Sequence, residues 1–449
     1  MMVCSVHKIT KWVISIACMM LLVGCTLNEP ATPPPTKDEA ATATAWFDLA
    51  LRLVKETPGY TPPVASRAFG YLGVTLYEAV QPGLPGYQSL AGQLNGLDVL
   101  PVPAANATYH WPSAANAALA RIARQLFPTA TPENLAAIDA LEAQFANTFQ
   151  AEVEAETFEQ SVQWGRQIAG AVYVWSLSDG GDEGYLHNFP EDYVPPAGPG
   201  LWVSTPPAYA KAMQPYWGHN RPFVLASADA CPALPPPAYS EQPTSAFYIQ
   251  ALEVYATGKK LTEEQRQIAL FWADDPGATA TPPGHWIAIL NQVLTEQEAS
   301  LAMAAEAYAK VGLAVADAFI SCWYTKYQHN LIRPISYIQQ IIDPSWNNPE
   351  ITDVVLTPPF PEYPSGHSAQ SGAAAAVLTA LFGENYRFTD HTHDGRGYAP
   401  RTFASFNQAV QEAAISRLYG GIHYRAAIEN GVTQGQCIGD KVNALKFQK

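Results

Sequence analysis

The sequence predicts an all-α protein built from helical bundles that pack together. Apolar residues recur with a helical period along most of the 449 residues, whereas strand-like alternation is scarce. The 38 prolines fall mostly between the periodic segments, where they break no helix. These observations favour a bundle architecture.

The candidate helices are periodic apolar segments bounded by capping and breaking residues. One of them, Ser368–Phe382, is rich in Ala and follows Ser365, a plausible N-cap. A stretch rich in Pro, Gly and aromatic residues, 180–243, is expected to be irregular. The predicted helices are Ala40–Thr57, Val64–Val80, Ser113–Phe127, Glu133–Phe149, Val153–Leu177, Thr244–Ala256, Thr262–Trp272, Glu296–Ile332, Ser368–Phe382, Phe403–Tyr419 and Tyr424–Lys446.

The N-terminus predicts export. Two lysines precede an apolar run, 12–23, which is too short to span a membrane comfortably. It ends in Leu-Val-Gly-Cys25, which resembles a bacterial lipobox, so residues 1–24 are predicted to be a lipoprotein signal peptide and Cys25 to be lipidated. An ordinary signal peptide is the alternative. The lipidated protein would be held at the cell surface or in the periplasm.

The rest of the chain divides into three predicted parts. Residues 25–39 contain several prolines and predict an extended tether. Residues 40–300 form an N-terminal helical region and residues 301–449 a C-terminal helical region with the functional site, both in one continuous globular unit. The net charge of −15 gives no basic surface for nucleic acid. No further segment is apolar enough to span a membrane, so contact with one is expected only through the lipid anchor.

Three short motifs near the C-terminus combine cations, oxyanion donors and imidazoles. Within them, Lys326 and Arg333 are two helical turns apart, roughly 10 Å along one predicted helix face. Ser365 and Gly366 begin a helix whose first N–H groups favour an anion. The motifs are Lys326-x6-Arg333-Pro334, Pro364-Ser365-Gly366-His367 and Ser416-Arg417-x5-His423.

The motifs predict a pocket for a tetrahedral oxyanion. Gly420 and Gly421 are expected to break the last helix so that Arg417 and His423 face one centre. At an effective dielectric of about 20, each close pair of cations repels by around 4 kcal/mol, which a multiply charged anion relieves. One imidazole can attack or coordinate the central atom and the other can exchange protons.

The motif set resembles the signature of the type 2 phosphatidic acid phosphatase and vanadium-dependent haloperoxidase superfamily. Further stretches, such as Pro282-Pro283-Gly284-His285-Trp286, look like its secreted bacterial haloperoxidase-like branch. The resemblance implies that vanadate binds at the site, with phosphate competing for it. His423 would be the vanadium ligand and His367 the general acid/base. Oxyanion oxygens would be held by Lys326, Arg333, Ser365, Gly366 and Arg417.

The resemblance implies an enzyme that oxidises a halide with hydrogen peroxide and halogenates small organic substrates. Trp323 and Phe360 match positions where vanadium chloroperoxidases place aromatic walls beside the cofactor. One alternative is an acid phosphatase in which His423 becomes phosphorylated. A second alternative is a surface lipoprotein that binds an oxyanion without turnover.

The sequence departs from the superfamily pattern after the last histidine. Ala427 stands where an Asp usually orients that imidazole, and nearby Glu429 is the candidate substitute. This departure puts nucleophilic attack by His423 in more doubt than vanadate coordination, because a covalent nucleophile depends more on an orienting carboxylate. Asp274 and Asp275 are expected either to cap a turn or to neutralise Arg417.

Two further clusters give weaker predictions. The run Asp390-His391-Thr392-His393-Asp394 is too close-packed for a helical ligand pair, so a solvated loop without a metal is expected. Cys231, Cys322 and Cys437 allow one disulfide in an oxidising compartment. The pair Cys322–Cys437 is preferred because both flank site segments.

Overall fold

Helices make up nearly all of the regular structure, which confirms the predicted all-α class. The computed structural model describes residues 40–346 and 355–449. The described residues all fall in one compact unit. The predicted signal peptide, the Cys25 lipidation site and the tether lie outside the described residues.

The helix bounds agree closely with the predicted ones, with two exceptions. The helices Thr281–Glu296 and Pro334–Tyr337 were not predicted, and the helix predicted at Glu296–Ile332 spans only Leu301–His329. The helices are α1 (Ala41–Glu56), α2 (Pro62–Val80), α3 (Trp111–Leu126), α4 (Pro132–Gln150), α5 (Ala155–Ser176), α6 (Ala246–Gly258), α7 (Glu263–Phe271), α8 (Thr281–Glu296), α9 (Leu301–His329), α10 (Pro334–Tyr337), α11 (Gly366–Phe382), α12 (Phe406–Tyr419) and α13 (Arg425–Asn443). A π-helical turn, Ile338–Ile342, continues α10.

Two corrections concern the helices next to the site. The helix α8 was not predicted, because its first turn contains two prolines and a glycine. The helix predicted to reach Ile332 ends at His329, since Asn330 adopts a left-handed conformation (φ 45°) and caps α9. Lys326 and Arg333 therefore do not lie on one helix face.

The core forms where α2 and α9 cross and where α11 packs against α13. Both crossings are close because glycine stands at the contact. A Cβ on Gly73 of α2 would lie 2.4 Å from the carbonyl oxygen of Tyr308, and one on Gly435 of α13 would lie 2.0 Å from that of Ala369. The second crossing fixes the start of α11, where Ser365 and Gly366 lie.

The described residues contain one small sheet, in which β1 (Phe388–Asp390) pairs antiparallel with β2 (Arg401–Phe403). A disulfide joins Cys231 to Cys437, and Cys322 is a buried free thiol, so the preferred Cys322–Cys437 pair was wrong. Within the described ranges, no helix has both the length and the apolar character needed to cross a membrane.

Candidate active site

The three motifs converge on one buried site, each through a local backbone feature. Lys326 lies in the last turn of α9. Arg333 is extended (ψ 151°), as the following proline requires, and points back beside it. Ser365 caps α11 by accepting the Ser368 N–H at 3.3 Å. Arg417 is in the last turn of α12.

His423 enters the site through the predicted glycine break. The helix α12 ends at Tyr419, and Gly421 has a φ of 70°, which favours glycine. The His423 side chain is 2% exposed, and its Nε2 lies 3.3 Å from Nη1 of Arg333. Burial, followed by repulsion from Arg333, lowers the pKa of His423 well below its usual value. The imidazole is therefore neutral.

Glu362 orients His423, a role that the sequence analysis missed. Its Oε1 lies 2.8 Å from His423 Nδ1 and accepts the Tyr424 N–H at 2.9 Å. The ionised Glu362 carboxylate accepts a hydrogen bond from Nδ1–H, so the lone pair of His423 is on Nε2. Burial raises the pKa of Glu362 to about 7, an effect that Arg333 opposes. Glu429, the predicted substitute, instead pairs with Arg425 at the surface. The signal for Glu362 is a lone acidic residue in the apolar run 358–364, directly before the second motif.

Buried hydrogen-bond donors without partners surround His423. Arg333 donates to the carbonyl oxygens of Phe360 and Ile422, both at 2.9 Å, but its Nη2 has no partner. Arg417 donates from Nη1 to the Trp272 carbonyl oxygen at 2.8 Å and leaves Nε without one. Nε2 of His367 is also unpartnered. Such buried groups cost about 1–3 kcal/mol each unless they find a partner.

Lys326 is fully buried and braces the loop before α11. Its Nζ donates to the carbonyl oxygens of Pro361 and Glu362, each at 3.0 Å, and to that of Pro364. Burial lowers the Lys326 pKa. The lowered pKa is about 7, so Lys326 is only partly charged at neutral pH, and its main role in the site is to hold the loop that carries Glu362.

A cavity of about 80 Å³ opens in front of these groups. Its lining includes His367, Arg417 and His423 but not Lys326 or Arg333. The remaining lining is mostly apolar, including Pro62, Met213, Phe319, Trp323, Leu356 and Phe360.

Trp323 and Phe360 form one aromatic wall of this cavity. Their ring centroids are 4.8 Å apart. The Phe360 ring also lies 4.9 Å from the Arg333 guanidinium and 5.0 Å from Lys326 Nζ. These distances are typical of cation–π contacts, so the wall also positions the cations.

Asp274 and Asp275 also line the cavity. Burial lowers the pKa of Arg417 to about 10, an effect that both carboxylates oppose. Arg417 therefore stays charged at neutral pH. Burial and the charge of Arg417 lower the pKa of His367 well below its usual value, so His367 is neutral.

Asp274 also belongs to a buried cluster that the sequence analysis missed. His285 of α8 lies between Asp274 and Asp390, with Nδ1 2.8 Å from one carboxylate and Nε2 2.7 Å from the other. The prediction of a solvated 390–394 loop was wrong for Asp390 and His393, which are buried, although His391 and Asp394 are exposed. Asp390 is buried because it ends β1 with its side chain facing α8.

The donor set fits a tetrahedral oxyanion with a coordinating histidine. The unpartnered N–H groups of Arg333 and Arg417 lie close to His423, and bound oxygens would supply the acceptors that they lack. The neutral His423 ring can bind a metal through Nε2, the nitrogen that carries no proton. Vanadate and phosphate both satisfy this geometry.

The comparisons identify the family. Residues 306–448 match the model of the VCPO second helical-bundle domain. The solved structure of a bacterial vanadium-dependent iodoperoxidase is 40% identical, with a TM-score of 0.83 over 93% of this chain and 99% of that one. The chain belongs to the vanadium-dependent haloperoxidase family. Membership implies a vanadate cofactor.

More distant members of the family share the fold. A holo bacterial vanadium-dependent chloroperoxidase is 15% identical, with a TM-score of 0.66 over 91% of this chain and 95% of that one. The vanadium chloroperoxidase of Curvularia inaequalis is 26% identical over 196 residues, which is 37% of this chain. That match spans about a third (32%) of the length of the Curvularia enzyme.

Proposed function

We propose that the protein is a haloperoxidase that uses hydrogen peroxide to oxidise a halide at a bound vanadate. The vanadate site, called the cradle below, consists of Lys326, Arg333, Ser365, Gly366, Arg417 and His423. The balanced reaction converts halide, hydrogen peroxide and one proton into hypohalous acid and water, and small organic molecules would then be halogenated. The main support for this proposal is that Arg333 and Arg417, close to His423, each have a buried N–H donor without a partner. Iodide is the first halide to test, because the 40% identical relative is described as an iodoperoxidase.

The cradle residues have separate tasks in this proposal. His423 coordinates vanadium through Nε2, and Arg333 and Arg417 hold oxygens with their free N–H groups. Lys326 fixes the loop that carries Glu362, while Ser365 and Gly366 bring the first turn of α11 to the oxyanion. When bound, vanadate supplies a Lewis acid that activates peroxide.

His367 exchanges protons in the proposed reaction. It lines the cavity with Nε2 unpartnered, and its neutral form can accept a proton from incoming peroxide. The wall of Trp323 and Phe360 keeps water from the reacting groups and leaves an apolar surface beside them.

Phosphomonoester hydrolysis is the second candidate, and one observation favours it. Glu362 supplies the carboxylate that a nucleophilic His423 needs, so Ala427 no longer argues against a phosphohistidine intermediate. The cradle holds phosphate with the same donors as vanadate. The two activities therefore need a direct assay.

A paired assay tests the proposal. Purified protein with vanadate and peroxide should oxidise iodide, measured as triiodide, and should lose this activity in His423→Ala but keep it in the exposed control His187→Ala. Rapid phosphate release from an aryl phosphate without iodide oxidation would replace the proposal with the phosphatase. Inactivity in both assays with vanadate still bound would leave an oxyanion-binding protein.

We also propose that the protein is exported and held at a membrane by a lipid on Cys25. The Cys231–Cys437 disulfide supports export, since such bonds persist in oxidising compartments. Labelled palmitate should be incorporated in the wild type and not in Cys25→Ala, which should leave the membrane fraction. Equal labelling of the two proteins would exclude the anchor.

A further inference from the structure

Two unpartnered atoms lie together in the buried cluster behind the cavity. Oδ1 of Asp274 and Nε2 of His393 are 3.1 Å apart, yet neither has a properly directed hydrogen bond. Both side chains are only 2% exposed. A buried carboxylate oxygen and a buried imidazole nitrogen that converge in this way can bind a common cation.

His285 completes a set of three ligands. One ligand atom from each of Asp274, His285 and His393 lies within 4.8 Å of the other two. Ligands at about 2.0–2.1 Å from a tetrahedral zinc ion are roughly 3.3 Å apart. Oδ2 of Asp274 lies 2.8 Å from His285 Nδ1 and its Oδ1 lies 3.1 Å from His393 Nε2, both close to this spacing, so a small rotation of the carboxylate presents one oxygen to a shared ion. Modest side-chain movement brings the two imidazoles into range.

Asp390 has the role that an outer carboxylate takes in protein metal sites. Its Oδ2 accepts from His285 Nε2 at 2.7 Å, which leaves Nδ1 as the ligand atom. Such a carboxylate orients a metal-bound imidazole and raises its basicity. The Asp390 side chain is itself fully buried, so its charge requires a cationic partner.

The cluster also has access to solvent. Asp274, His285 and His393 line a cavity of about 350 Å³ on the side away from the cradle, together with Thr281 and Thr392. This cavity provides an entry path and room for a water molecule at a fourth coordination position. Two imidazoles, one carboxylate and a water suit a borderline divalent ion such as Zn²⁺.

We propose that Asp274, His285 and His393 bind a divalent transition-metal ion of the zinc type, separate from the vanadate cradle. The ion takes the place of the proton on His285 Nδ1 as the cation between the buried carboxylates. It ties together the segment after α7, the start of α8 and the segment after β1. Asp274 also lines the cavity in front of His423, so the bound ion fixes the position of the Asp274 side chain in that cavity.

Cobalt is the probe that tests this site. Chelator-treated full-length protein, titrated with Co²⁺ at neutral pH, should bind about one equivalent and develop the visible bands of a four-coordinate site. Zn²⁺ should displace the cobalt and raise the melting temperature. His393→Ala should weaken Co²⁺ binding about 100-fold or more, whereas His391→Ala, an exposed histidine two residues away, should bind as the wild type does.

Two further results separate the site from the cradle and from misfolding. His423→Ala should keep full Co²⁺ binding, because it changes only the proposed vanadium ligand. Asp390→Asn keeps all three ligands and should weaken binding by about 10-fold. Absence of stoichiometric cobalt in the wild type, or equal loss in His391→Ala and His393→Ala, would overturn the proposal.

Discussion

Oε1 of Glu362 lies 2.8 Å from Nδ1 of His423, although the two residues are 61 positions apart in the chain. Both are buried, and Glu362 accepts a second hydrogen bond from the Tyr424 backbone at 2.9 Å. The carboxylate fixes the imidazole tautomer and aims Nε2 at the cradle. The chain thus supplies the orienting carboxylate from the loop before α11 and not from the helix after His423.

Replacing Glu362 should impair the site without removing the ligand. Glu362→Gln can keep a hydrogen bond to Nδ1 but loses the charge that favours the Nε2 lone pair. Vanadate affinity and kcat for iodide oxidation should fall by about 10- to 100-fold. Equilibrium dialysis and initial rates measure the two effects. The control is Glu429→Gln, at the position that the sequence favoured, and it should change neither vanadate affinity nor kcat. Equal losses in both variants would contradict this role for Glu362.

The aromatic wall should matter through the cations that it positions. Phe360→Ala removes the ring that lies about 5 Å from both Arg333 and Lys326. The lost contacts are worth about 1–2 kcal/mol, so vanadate affinity should fall about 5- to 30-fold. Leu356→Ala, an exposed residue on the same cavity, should change affinity less than about twofold. The same dialysis measurement compares the variants, and wild-type affinity in Phe360→Ala would rule out the positioning effect.

Lys326 should contribute to folding as well as to charge. Lys326→Met leaves three buried carbonyl oxygens without their donor and should lower the free energy of unfolding by about 3 kcal/mol. Lys310→Met, which removes an ion pair with Glu306 on the same helix, should cost less than about 1 kcal/mol. Urea unfolding monitored by circular dichroism distinguishes them. Equal midpoints for the two variants would show that the loop does not depend on Lys326.

Local signals in the sequence predicted the helices and the backbone features of the site. Ser365 caps its helix and Gly421 ends another, because capping and breaking depend on neighbours in the chain. The sequence could not place Glu362 against His423, since that contact depends on how α9, α11 and α13 pack. The same limit applies to the Cys231–Cys437 pair, which the packing of an irregular segment on α13 determines.

The cluster around His285 illustrates a different limit. Asp274, His285 and Asp390 come from three separate segments, and none of them carries a spacing that indicates the others. The composition of 390–394 predicted a solvated loop, because charged residues are mostly exposed. Burial by the β1–β2 pair and α8 reverses that expectation for Asp390, and His393 in the same loop is buried as well.

Glu78 should make stability depend on pH. Burial raises the pKa of Glu78 to about 7 from 4.5, although the Leu90 N–H and the Ser89 hydroxyl donate to it. The folded state therefore holds this proton to higher pH than the unfolded state does. Its stabilising contribution is complete below about pH 4.5 and is lost as pH rises to about 7. Glu78→Gln should remove this loss of stability at higher pH, because glutamine does not ionise. The Ser89 hydroxyl can turn to accept a hydrogen bond from the glutamine amide.

Urea unfolding of Glu78→Gln and wild type at pH 4.5 and pH 8 measures this effect. Between pH 4.5 and pH 8, the free energy of unfolding of the variant should rise by up to roughly 3 kcal/mol relative to that of the wild type. Parallel pH profiles would mean that Glu78 ionises alike in both states.

The disulfide should stabilise the fold strongly because it closes a long loop. Cys231 and Cys437 are 206 residues apart, and a loop of that size corresponds to about 5 kcal/mol in the chain-entropy model. Cys231→Ser should therefore lower the urea midpoint, and a reductant should lower the wild-type midpoint to the same value. Cys322→Ser keeps the disulfide and should stay sensitive to the reductant. A reductant effect that persists in Cys231→Ser would contradict the assigned pairing.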